Sequence, residues 1–169
     1  MLSQSILNGS TQCGAILTQY GLSIATAESC TGGGIAYALT EIAGSSAYFK
    51  QSVVTYSNQA KQDRLQVNAA TLQKYGAVSE QTVSEMAMGL YQLSHCDLAL
   101  VTSGIAGPGG ATADKPVGLV HFAWLWQGEQ LSLSAEVFSG NRSQVRSNAI
   151  EYALNRAHHL LKNYTANKT

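Results

Sequence analysis

The sequence predicts an α/β protein, a three-layer α/β/α sandwich built around a mixed sheet, and three observations carry that expectation. Short strand-like runs at Leu22–Ala27, Ser52–Tyr56 and Asp97–Thr102 alternate with helix-forming segments, the pattern of βα units. Two of these runs open into glycine-rich stretches, Glu28–Gly34 and Ser103–Gly110, which neither a helix nor a strand tolerates. Val117–Trp126 and Gln130–Phe138 flank Gly128 and read as a β-hairpin, adding antiparallel strands to an otherwise parallel set.

In chain order, Ser3–Tyr20 carries a loose helical stripe of Ile6, Leu7, Cys13, Ile16 and Leu17, and Gly21 stops it. The LSIATA strand follows, then the ESCTGGG turn, then a helix over Ile35–Ile42. After the SVVTY strand, Asn58 is expected to cap a helix beginning at Gln59. Ala69–Tyr75 forms a second helix ended by Gly76, and Ser79 opens a third over Glu80–Leu93. Asp97–Thr102 (DLALVT) is a buried strand, and the hairpin and one long amphipathic helix over Asn141–Leu161 complete the order. Residues from about 164 to 169 are polar and expected to fray.

The length of 169 residues fits one domain with its own core, and no linker or repeat divides it. Ten basic residues balance ten acidic ones, so no global field favours nucleic acid or an anionic membrane, and a bound anion must rely on local donors. No apolar run is long enough to span a bilayer. The first basic residue is Lys50, which leaves the start of the chain without a signal or transit pattern. Three scattered cysteines argue against a disulfide framework or zinc knuckle and suit a reducing cytoplasm. Charged residues make up only 12%, which, with the apolar terminal helix, suggests a homo-oligomer.

The chemistry concentrates at the glycine-rich loops, since ligands of α/β sheets gather at the carboxyl ends of strands. Neither loop matches a P-loop or GxGxxG. Ser29 stands between a strand and a helix, either as a nucleophile or, with Thr31, as a helix cap; Cys30 is the rival nucleophile. His95, His121, His158 and His159 neighbour neither loop in sequence, which leaves an imidazole triad without support. Lys61, one turn beyond Tyr56-Ser57-Asn58, is an alternative base if burial lowers its pKa, and otherwise an ordinary solvated lysine. Arg142 and Arg146 open the last helix, where the dipole disfavours cations unless an anion binds between them.

The motifs AESCTGG at Ala27–Gly33, AGSSAYF at Ala43–Phe49, VTYSNQAK at Val54–Lys61, GAVSE at Gly76–Glu80, SGIAGPGG at Ser103–Gly110, KPVG at Lys115–Gly118 and FSGNR at Phe138–Arg142 occur in one order. Together they resemble the CinA C-terminal domain family over nearly the whole chain. The resemblance implies a standalone amidohydrolase that converts nicotinamide mononucleotide and water to nicotinic acid mononucleotide and ammonia, with no cofactor and no metal. It implies Ser29 as nucleophile, with Lys61 and Tyr56 completing the catalytic set. Backbone groups of Thr31, Gly32 and Gly33 would hold the oxyanion. Arg142 would take the phosphate, with Ser103, Gly104, Ala106 and Gly107 contacting ribose or phosphate. Ser103 stands where many members carry threonine, which keeps the hydroxyl and drops a methyl. A non-catalytic nucleotide-binding paralogue and an amidase for another small carboxamide remain as alternatives.

Overall fold

A computed structural model describes residues 2–166. Five strands form one sheet in the order β2-β1-β3-β4-β5. They are β1 (Ile24–Glu28), β2 (Phe49–Val54), β3 (Leu98–Gly104), β4 (Leu119–Trp126) and β5 (Gln130–Val137). β1 runs parallel to both β2 and β3, whereas β3–β4 and β4–β5 are antiparallel. The mixed sheet expected from sequence is thus present. The helices are α1 (Gln4–Gln19), α2 (Gly34–Thr40), α3 (Asn58–Leu65), α4 (Ala69–Tyr75), α5 (Glu80–Ser94) and α6 (Arg142–Thr165).

Side-chain alternation along the central strands divides the core in two. Ile24, Leu98, Leu100, Phe122 and Trp124 face a layer that includes Leu17 of α1, Leu39 of α2 and Leu154 of α6. Their neighbours Ala25, Ala27, Ala99, Val101 and Ala123 face the other layer, with Leu65 of α3 and Val83, Met86 and Leu90 of α5. The first face carries the large residues and the second mostly alanine, so α5 lies close against the sheet while α1, α2 and α6 stand over a thicker aromatic core. Trp124 is fully buried there, and its indole N–H donates to the Ala153 carbonyl (3.2 Å), which satisfies the one polar atom of that side chain.

Several boundaries move for identifiable reasons. β2 begins at Phe49 and ends at Val54, because its parallel pairing with β1 stops where Val54 meets Glu28. Thr55 still donates its N–H to the Glu28 carbonyl (2.9 Å), but Tyr56 turns out of the sheet. Ser57, not Asn58, caps α3, its Oγ accepting from the Ala60 N–H (3.0 Å). Ser79 caps α5 as the sequence suggests. Asn141 and Gln144 form a reciprocal capping box that starts α6. That helix continues to Thr165, whose hydroxyl donates to the Leu161 carbonyl (2.7 Å), and Tyr164 stacks on Trp126. Fraying therefore does not begin at 164, and residues 167–169 of the expected tail lie outside the described residues. Among the described residues no helix is long and apolar enough to cross a membrane.

The register has a consequence for function. Glu28 pairs with Val54 on one side and Thr102 on the other, so the carboxyl ends of β2, β1 and β3 lie side by side. The chain leaves β1 toward β2 on one flank and reaches β3 on the other, which opens a crevice at their ends. The segment between β3 and β4 and the start of α6 come to the same end of the sheet, since Gly104 pairs with Val120 and Leu119 with Val137.

Candidate active site

A cleft of about 250 Å³ lies at these strand ends, lined by Ser29, Cys30, Tyr56, Lys61, Ala77, Val78, Ser103, Gly104, Ile105, Ala106, Gly107, Gly109, Gly110 and Arg142. Of the site residues expected from sequence, Ser29, Lys61, Tyr56, Ser103, Gly104, Ala106, Gly107 and Arg142 meet here, although they are drawn from four separate stretches of chain. Among the described residues no histidine lines the cleft.

Ser29 is the first residue beyond β1. Its N–H donates to the Thr102 carbonyl (3.0 Å), prolonging the β1–β3 ladder by one rung, and its own carbonyl accepts from Gly32 N–H (3.0 Å). The backbone then turns through Gly32 (φ +61°) and Gly33 (φ +91°) into α2. Those left-handed conformations favour glycine, which accounts for the residues that make this corner so tight.

Glu28 secures the corner from beneath. Its carboxylate is buried and accepts from the N–H groups of Gly33 (3.0 Å), Ile35 (3.1 Å) and Ala36 (2.9 Å), and from the Thr26 hydroxyl (3.3 Å). An acidic side chain thus fills the anion-attracting N-terminus of α2. The Gly33 N–H, expected to face an oxyanion, is committed to Glu28, and the Gly32 N–H closes the turn on Ser29. Of the three expected donors only Thr31 keeps an N–H with no protein partner among the described residues, but Thr31 is fully buried, and none of the three residues lines the cleft. The Thr31 hydroxyl is paired with that of Thr102 (2.8 Å), so it does not act as the α2 cap.

Lys61 is buried to 1% exposure, among the largest side chains so enclosed. Only it and Leu65, four residues on, point inward from α3, so the lysine occupies what is otherwise an apolar core position. Its Nζ donates to the Thr55 carbonyl (2.7 Å) and to Ser29 Oγ (3.1 Å). Burial lowers its pKa from the usual 10.5 to about 8, partly opposed by the Cys30 thiol nearby. Cys30 itself is inert: burial pushes its thiol up to about 11, so the nucleophilic thiolate is scarce at neutral pH.

Tyr56 is 59% exposed, and its hydroxyl accepts from Arg142 Nη2 (2.8 Å) rather than bridging the serine and lysine, which touch directly. Arg142 Nη1 donates to the Gly107 carbonyl (2.7 Å). The Ser103 hydroxyl is held by the Ala77 carbonyl (2.8 Å), tying β3 to the segment before α5. Arg146, paired with Arg142 in the sequence reading, points elsewhere: its Nε donates to the Cys30 carbonyl (3.1 Å) and its Nη2 to the Thr31 carbonyl (3.0 Å). Sequence reasoning did not find this role. The spacing of one helical turn placed both arginines on one side of α6, but nothing local revealed which carbonyls lay opposite.

A family model described as the CinA C-terminal domain matches residues 8–161. The chain is 48% identical over 148 residues to the nicotinamide-nucleotide amidohydrolase PncC of Enterobacter agglomerans, an alignment covering 88% of this chain and 90% of that protein. It is 46% identical to the PncC of Escherichia coli K12, over 91% of this chain and 93% of that one. Among solved structures, the competence/damage inducible protein CihA from Agrobacterium tumefaciens superposes with a TM-score of 0.92 at 42% identity, covering 95% of this chain and 98% of that one.

Proposed function

The chain belongs to the CinA C-terminal domain family, and on that footing we propose that it is a nicotinamide-nucleotide amidohydrolase using Ser29 as nucleophile and Lys61 as base. The observation that carries this reading is the direct contact between Ser29 Oγ and a buried lysine Nζ at the floor of a cleft (3.1 Å). Relatives of nearly equal length bear the name of that activity.

In the proposed reaction Lys61 is neutral. One N–H stays on the Thr55 carbonyl, and the lone pair accepts the Ser29 proton as Oγ bonds to the carboxamide carbon. The carbonyl electron pair moves to oxygen as the tetrahedral intermediate forms. When the oxyanion collapses, the C–N bond breaks and the Lys61 ammonium returns its proton to the departing nitrogen, releasing ammonia. Water, deprotonated by the same amine, then cleaves the Ser29 ester to give nicotinic acid mononucleotide and free serine. The cationic pyridinium of the substrate favours the uncharged amine beside it. Tyr56, with its exposed ring at the cleft, offers a π face to that cation rather than relaying a proton. Arg142 supplies the charge for the phosphate, with Ser103 and the Gly104, Ala106 and Gly107 backbone beside it.

Incubation with nicotinamide mononucleotide should release ammonia and nicotinic acid mononucleotide in equal amounts. Binding without ammonia over hours would instead indicate a nucleotide-binding protein that has no turnover. Replacing Arg142 with alanine is expected to raise KM by about 10- to 100-fold, the loss of one charge-assisted contact, with a smaller effect on kcat. Steady-state kinetics on the purified variant checks this.

A further inference from the structure

We infer that Arg146 is a positioning residue for the nucleophile turn, fixing the peptide planes that follow Ser29 and with them the placement of Ser29 Oγ against Lys61 Nζ. The inference rests on the amidase reading for its effect on turnover, but not for its effect on the reactivity of Ser29.

A trans peptide is planar, so its C=O and N–H point in opposite directions. Arg146 Nε holds the Cys30 carbonyl and Nη2 the Thr31 carbonyl. The Thr31 and Gly32 N–H groups must therefore point away from the guanidinium. The Gly32 N–H is spent on the Ser29 carbonyl, so the plane that the fork fixes is tied back to Ser29 itself. A cation on the Thr31 carbonyl also polarises that amide and strengthens the Gly32 N–H bond to the Ser29 carbonyl.

Two features indicate that this arrangement is built for the turn. Arg146 sits near the N-terminus of α6, where the helix dipole disfavours a cation, and the two carbonyls offset that cost. Gly32 lies under the fork: a Cβ there would come within 3.1 Å of Arg146 Nη2, at a backbone φ of +61°. The glycine thus serves the approach of the arginine as well as the turn. Lysine could reach only one of the two oxygens, because a point charge lacks the planar fork.

The test compares the full-length wild type with Arg146→Ala and Arg146→Lys in three measurements. These are kcat and KM for ammonia release, thermal stability, and the rate at which a fluorophosphonate labels Ser29, where Oγ bonds to phosphorus as fluoride leaves. Arg146→Ala should lose about 100-fold in kcat, the scale of a nucleophile displaced by about 1 Å, with KM within about threefold of wild type. Ser29 labelling should slow in parallel, and millimolar ethylguanidinium should restore part of both. Should Arg146→Ala not fold, Arg146→Lys carries the test, with a loss of about 10-fold or more in labelling expected. Labelling at the wild-type rate in a folded variant overturns the inference, as does a lowered melting temperature without any change in labelling or kcat. A wild type that releases no ammonia would overturn the amidase reading alone, since the labelling comparison still decides the role of Arg146.

Discussion

Replacing Lys61 with methionine should lower ammonia release by about 10³-fold or more, since the general base is removed while the shape of the core position is kept. The same variant should reveal what burying the amine costs. The folded pKa of about 8 lies below the unfolded 10.5, so between those values the unfolded chain binds a proton that the folded chain does not. Wild-type stability therefore rises with pH across that window, is lowest below about pH 8 and levels off above about 10.5. The shift corresponds to about 3 kcal/mol. Near neutrality, methionine relieves that penalty but leaves the Thr55 carbonyl without its donor, a loss of about 1–3 kcal/mol, so the two proteins should be nearly equal in stability. Denaturant melts at a series of pH values should show the wild type gaining on Lys61→Met from about pH 8 upward. An unchanging difference would mean that the lysine has an ordinary pKa.

Ser29→Ala should lose about 10⁴-fold or more in kcat, with nicotinamide mononucleotide still bound. The fold should barely change. Ser29 holds the turn through its backbone N–H and carbonyl, and alanine keeps both. The hydroxyl has Lys61 as its hydrogen-bond partner, and the lysine retains the Thr55 carbonyl when it is removed. Calorimetric titration with the mononucleotide alongside the kinetic assay separates chemistry from binding. Retention of turnover would transfer the nucleophile to another group and end the role assigned to Ser29.

Much of the fold was legible because strand patterns and turn residues act locally. DLALVT and the hairpin around Gly128 are written in apolar runs and glycine, and the capping residue Ser79 stands where the next helix begins. The end of the SVVTY strand was placed two residues late, because β2 stops where its partner β1 stops, a property of register rather than of either segment. The convergence of Ser29 and Lys61 depends on three parallel strands ending together, and no feature of the VTYSNQAK segment alone distinguishes a buried lysine from a solvated one. The nearest signal was Leu65, four residues on from Lys61, which puts both on one helical face. Glu28 and Arg146 were less visible still. Each acts on the backbone of a distant or folded-back segment, and carbonyl and amide groups leave no trace in a sequence. The commitment of the Gly33 N–H to Glu28 could be seen only once the turn had been folded.

The measurement that bears most directly on a lysine-activated serine is the rate of Ser29 labelling by a fluorophosphonate as a function of pH, in the wild type and in Lys61→Met. Free amine increases with pH, so wild-type labelling should rise through a single titration centred near pH 8 and then level off. In Lys61→Met the rate should be low and show no such titration. A wild-type profile flat from about pH 6 to about pH 10, or the same titration persisting without the lysine, would contradict activation of Ser29 by Lys61.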